Sequence, residues 1–226
     1  MKLLAIETST EACSAALLID GAVRARYALA PRRQAELILP MVDELMNEAG
    51  LRPTDLDALA FGRGPGAFTG LRIAAGVIQG IAFGADLPVV PVSTLAALAQ
   101  GLCRERGVER VLAAIDARMD EVYWGPYRCD GQGCVVPVDQ DRLCLPALVP
   151  AVDGDGWYGA GSGWQRYGET LSGRLGAAVR DWDGQRCPAA EDVARLGAAG
   201  ARRGEAVAAE FALPVYLRDE VAVKGG

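Results

Sequence analysis

Phe61-Gly62-Arg63-Gly64-Pro65-Gly66-Ala67-Phe68-Thr69-Gly70, running directly into Leu71-Arg72-Ile73-Ala74-Ala75-Gly76-Val77-Ile78-Gln79-Gly80-Ile81-Ala82-Phe83-Gly84, reads as strand, glycine-rich loop and helix. Four glycines and a proline between Gly62 and Gly70 let the backbone turn tightly and gather amide N–H groups at the positive end of a helix dipole. That is the chemistry of a phosphate cradle, and Gly64, Gly66 and Gly70, with Glu7 of the opening strand, are its candidate nucleotide contacts. Both familiar fingerprints fail, because the loop has no Gly-Lys-Ser/Thr ending and no Gly-x-Gly-x-x-Gly. The residues alone leave open a loop that only closes a strand–helix corner.

The helix expected from Leu71 to Asp86 carries one thin polar stripe, Arg72, Gln79 and Asp86, and is apolar or glycine elsewhere, so it should be buried on most sides. Gly76, Gly80 and Gly84 repeat every fourth residue and form a flat track for a close-packed neighbour. That neighbour is either the protein's own core or a partner. The segment is shorter than the ~20 apolar residues a membrane span needs.

The remainder of the first half alternates strands with helices. Leu3 to Ile6 and Ser14 to Ile19 form an opening hairpin, and Ala22 to Leu29 adds a third strand. Gln34 to Ala49 has helical periodicity with an apolar arc of about 200°, roughly twice what one sheet covers, so Leu37, Met41 and Leu45 are candidates for an interface. Pro40 implies a start near Glu36 or a kink. Leu56 to Phe61 feeds the glycine loop, Pro88 to Val92 is a short strand, and Ser93 caps a helix from Thr94 to Cys103.

A second lobe begins near Val111, where Ile115-Asp116 and Asp120 repeat Ile6-Glu7 and Glu11 at a constant offset. Cys129 to Val152 reads as sheet edge and loop, Trp157-Tyr158 as a strand, Trp164 to Leu175 as a helix, and Ala189 to Ala209 as an alanine-rich helix. The expected units are residues 1–106 and 107–226.

Composition narrows the function. Hydrophobic residues at 51% and charged residues at 23% describe a folded globular chain of 226 residues, large enough for two lobes. A net charge of −6 argues against gripping a phosphate backbone unaided, so contact with nucleic acid would need a basic partner. Six cysteines show no zinc spacing and read as reduced thiols of a cytoplasmic protein. With no histidine, a Ser–His–Asp triad or a His-ligated metal is excluded within this chain.

Ile6-Glu7-Thr8-Ser9, the stretch Gly62 to Arg72, Pro91-Val92-Ser93-Thr94-Leu95 and Pro214-Val215-Tyr216-Leu217-Arg218-Asp219-Glu220 together resemble the TsaB (YeaZ) family, over nearly the whole chain and most clearly over residues 1–127. The resemblance implies an α/β fold of two ribonuclease-H-like lobes, that of actin, Hsp70 and the sugar kinases. It implies a non-catalytic subunit needed to make threonylcarbamoyladenosine beside the anticodon of tRNAs that read codons beginning with A. Such a subunit would bind a TsaD-like catalytic paralogue, with a TsaE-like ATPase in the same system and tRNA met only through the complex. ATP or ADP and the metal ion would sit on the paralogue, leaving this chain without a cofactor. The surface offered would comprise Leu37, Met41, Leu45, Arg72, Gly76, Gly80 and Gly84, and without the paralogue the same surface would pair two copies as a homodimer.

A rival from another class is an ATP-dependent small-molecule kinase of the same superfamily, with Glu7, Glu11, Asp116 and Asp120 facing an interlobe cleft to hold Mg²⁺. Against it, Glu7-Thr8 stands where ATP-using relatives carry an acidic residue followed by glycine. The same four carboxylates also suit ordinary turns. A peptidase would need Thr8, Ser9 or Ser14 as nucleophile without a visible base.

Overall fold

The computed structural model describes residues 1–218, so Asp219-Glu220 of the family-like ending and the rest of the 107–226 unit lie outside the described residues. A first sheet has the order β3-β2-β1-β4-β5, built from β1 (Lys2–Glu7), β2 (Ala12–Ile19), β3 (Ala22–Leu29), β4 (Ala58–Gly64) and β5 (Val89–Ser93). β1, β2 and β3 are an antiparallel meander, while β4 and β5 run parallel to β1. The second sheet runs β11 (Val179–Asp183), β10 (Trp157–Ala160), β6 (Arg110–Arg118), β7 (Glu121–Cys129) and β8 (Val135–Pro137), and β9 (Arg142–Cys144) also pairs with β7. Each sheet starts from a long antiparallel hairpin, as the repeat in the sequence implies, and two ribonuclease-H-like lobes result.

Strand periodicity distributes the core. Leu4 and Ile6 of β1 point to one face and pack with Leu59 and Phe61 beneath α1 (Gln34–Ala49) and α2 (Phe68–Ala85). Leu3 and Ala5 point to the other, where α5 (Ala190–Arg202) and α3 (Thr94–Arg106) lie. Because both faces are covered, β1 reads as one uninterrupted apolar run. The cluster beneath α3 and α5 continues into Val111 and Ala113 of β6, so the lobes share this layer of core. On the far face of the second sheet, α4 (Ser162–Leu175) packs Trp164 against Trp124.

Several expectations change. The chain division at 106/107 groups α5 with the second lobe, yet α5 lies against β1, β2 and β4 of the first sheet. This helix ends at Arg202 rather than Ala209, where Gly204 takes a φ of +76°. β11 is an additional strand, hidden in the polar run Val-Arg-Asp-Trp-Asp. Pro40 sits inside α1 on its exposed side, and the helix runs from Gln34 to Ala49 through it. Finally, α2 buries only Gly70, Leu71, Ala74, Ala75, Ile78 and Ala82, one stripe rather than most of its surface. Its 18 residues at mean hydropathy 1.3 are long and apolar enough for a membrane span by length and composition, longer than the segment read from sequence.

Candidate functional site

The glycine loop is filled by its own protein. A Cβ on Gly66 would lie 2.6 Å from the Ser9 carbonyl oxygen, and one on Gly64 would lie 2.6 Å from the carbonyl oxygen of Val215. A Cβ on Gly70 would overlap the Thr8 carbonyl oxygen, and one on Gly62 would overlap the Glu7 carboxylate. Hydrogen bonds fix these approaches: Ala67 N donates to Ser9 O at 2.7 Å, Thr8 Oγ1 to Gly70 O at 2.8 Å, and Val215 N to Arg63 O at 2.7 Å. The glycines are therefore required by the crossing of three chain segments. That crossing accounts for Gly64, Gly66 and Gly70 without a bound phosphate.

Glu7 is fully buried beside this crossing. Its Oε1 accepts from Ser9 N at 2.6 Å and its Oε2 has no hydrogen-bond partner. Burial pushes the carboxyl above its usual range, against the lowering effect of hydrogen bonds from Ser9 and Thr8. The other three carboxylates of the kinase reading do not converge on it. Asp116 pairs with Arg118 and Arg166, each at 3.4 Å, Asp120 lies 3.7 Å from Arg166, and Glu11 accepts from the Cys187 thiol at 3.6 Å. Among the described residues no group of three or more acidic or cysteine side chains is placed to hold a metal.

The outward side of α1 and α2 is the opposite case. Gly76, Gly80 and Gly84 are exposed, and a Cβ on any of them would meet nothing within 4 Å. Leu37 and Met41 are half-buried, with Leu39 54% and Phe83 65% exposed on the same two helices. An apolar groove lined by Leu39, Met46 and Ile81 runs between the helices and the turn at Leu51, Arg52 and Pro53 that follows α1. Leu45 must be removed from the proposed interface, because it is wholly buried in the core beneath α1. Arg72 is exposed but engaged: its guanidinium lies 3.8 Å from the Phe68 ring centroid and donates to Tyr216 Oη at 3.4 Å.

One cluster has no signature in the sequence. Tyr127 Oη donates to Asp141 Oδ1 at 2.5 Å and Ser93 Oγ to Asp141 Oδ2 at 2.6 Å, joining the end of β5 to the second lobe. The three residues come from separate elements with no common spacing, and only Ser93 was recognisable, as the cap of α3.

Comparison with known proteins agrees with this architecture. A family model described as TsaD, tRNA N6-adenosine threonylcarbamoyltransferase, matches residues 28–149. The chain is 46% identical to the tRNA threonylcarbamoyladenosine biosynthesis protein TsaB of Escherichia coli K12, covering 99% of this chain and 97% of that protein. It is 39% identical to the protein of the same description from Haemophilus influenzae, over 99% and 96% of the two chains. Among solved structures, YeaZ from Pseudomonas aeruginosa superposes with a TM-score of 0.89 at 50% identity, covering 96% of this chain and 99% of that one.

Proposed function

Because the chain belongs to the TsaB family, we infer that it takes part in the biosynthesis of threonylcarbamoyladenosine in tRNA, and we propose that it does so as a non-catalytic subunit bound to a TsaD-like paralogue. The observation that carries the subunit role is the open glycine track of α2, flanked by half-buried Leu37 and Met41 and exposed Phe83. A helix with no side chains on its outer stripe lets a second helix approach closely, and it gains nothing from facing water. The paralogue supplies the histidines, nucleotide and metal that this sequence lacks, and tRNA reaches this acidic chain only through the complex. In the absence of the paralogue, two copies cover the same strip by pairing.

Reconstitution tests this directly. The purified chain alone should form no threonylcarbamoyladenosine, and adding it to the catalytic paralogue, the ATPase and an activated threonylcarbamoyl donor should raise product formation. Turnover by the isolated chain, or equal product with and without it, would refute the subunit role.

A further inference from the structure

A cavity of about 460 Å³ lies between β5 of the first sheet and the β7–β8 edge of the second, with the C-terminal segment along one side. None of the four turn carboxylates and none of the α1 or α2 side chains of the partner face lines it. Its size falls within the range of small-molecule sites, and its wall is mixed: Val90, Val92, Leu196 and Leu217 are apolar, while Arg63 and Arg203 stand with the carboxylates Asp139, Asp141 and Glu205.

Two features distinguish it from a packing defect. The first is a cation without a direct partner: Arg63 is half-buried on the wall and makes no side-chain hydrogen bond or ion pair among the described residues, acting on Asp141 and Glu205 only through space. Arg203 on the same wall is held by Glu205 at 2.6 Å, so among the described residues Arg63 is the cation of this wall left without a direct partner. A partly desolvated guanidinium has a strong preference for a carboxylate or phosphate, which its planar fork can meet with two hydrogen bonds. The second is a fixed polar network at the cavity, the Ser93–Asp141–Tyr127 triplet. Gly125 must be bare to admit it, since a Cβ there would lie 2.5 Å from Asp141 Oδ1 and 2.8 Å from Tyr127 Cε2. Burial pushes the Asp141 carboxyl up, while Ser93, Tyr127 and Arg63 pull it down. Its oxygens are turned to the phenol and the hydroxyl, and Arg63 is not consumed by it.

We propose that this cavity binds a small anion, a carboxylate or phosphate carried on an apolar body, with Arg63 holding the anionic group and Val90, Val92 and Leu217 enclosing the body. The Arg63 backbone carbonyl is bonded to Val215, so its side chain projects from a segment already fixed against the C-terminal wall. A bound ligand would bridge both lobes, since β5 and β8 belong to different sheets.

Isothermal titration of the full chain with adenosine 5′-monophosphate, isovalerate and inorganic phosphate tests the assignment. Either of the first two should bind in the submillimolar range, with inorganic phosphate weaker for want of an apolar body. Binding of the nucleotide alone identifies a phosphate site, and binding of isovalerate alone a carboxylate site. Arg63→Gln should weaken the bound probe at least about tenfold, and Arg63→Lys should lose less. Leu217→Trp, which fills the apolar end without touching the charge, should abolish binding in a chain that melts as the wild type does. Failure of all three probes at millimolar concentration, or unchanged affinity in Arg63→Gln, would overturn the proposal.

Discussion

The two glycine groups of the central stretch differ in what surrounds them. Gly62, Gly64, Gly66 and Gly70 are each pressed against another part of the chain, so the backbone of Thr8, Ser9 and Val215 or the Glu7 carboxylate takes the place of a side chain. Gly76, Gly80 and Gly84, about two to four turns further on, face nothing. The first group is explained within this protein. The second is not, and an incoming helix is the occupant that small residues at this spacing suit. Identical residues thus serve the fold in one group and, in the proposed subunit role, assembly in the other.

Substitution within the first group should have the largest effect. Gly70→Ala drives a methyl into the Thr8 carbonyl, a backbone obstacle that cannot rotate aside, and it strains the Thr8 Oγ1 to Gly70 O bond. Overpacking typically costs about 1–3 kcal/mol where side chains can yield, so a loss of about 3 kcal/mol or more is expected here. Urea unfolding of the isolated chain measures it. A variant as stable as the wild type would dissolve the distinction between the two groups.

The second group should respond only in assembly. Gly80→Leu should not lower the melting temperature of the dilute monomer, because the side chain enters open space and leucine is a better helix former than glycine. It should weaken binding to the catalytic paralogue at least about tenfold, about 1.4 kcal/mol. Light scattering on the variant should likewise show less homodimer than the wild type at tens of micromolar. Equal paralogue affinity for both proteins would remove α2 from the interface.

Glu7 probes the interior of the closed loop through pH. Its folded pKa is raised, so the folded state holds this proton more firmly than the unfolded chain does. The stability it contributes is fully present below the ordinary value of 4.5 and is lost as pH rises towards the folded pKa. Glu7→Gln keeps an oxygen for Ser9 N and has no proton to lose. As pH rises above 4.5 the melting temperature of the wild type should therefore fall relative to that of the variant. Parallel curves would mean that Glu7 titrates normally.

What could be read from the sequence was what is local. The opening hairpin, α1, β4, α2, and β5 with its Ser93 cap each follow from periodicity or a capping residue within a few positions. The closure of the glycine loop was not legible, because Ser9 and Val215 lie far from Gly66 and Gly64 in the chain. Burial on α2 was overestimated for a related reason: glycine and alanine count as apolar, yet their small surface gives little drive to bury a face. Leu45 and Leu37 belong to the same apolar arc of α1, and only the packing tells that the first is core and the second half-open. The Ser93–Tyr127–Asp141 cluster depends on how the lobes meet, which no local pattern encodes.

The smallest effect is also the one that separates openness from mere tolerance. Gly80→Ala adds one methyl where nothing lies within 4 Å, so no steric loss is expected in the monomer. Alanine is favoured over glycine in a helix interior by about 1 kcal/mol, since it restricts the unfolded chain more. For a chain of this length a gain of that size corresponds to a rise of about 2–4 °C in melting temperature. The gain should appear in the dilute monomer and shrink or vanish in the complex, where the methyl would meet the opposing helix. A rise of the same size in both states would mean that the partner helix does not touch Gly80, and a fall in the monomer would mean that the track is not open at all.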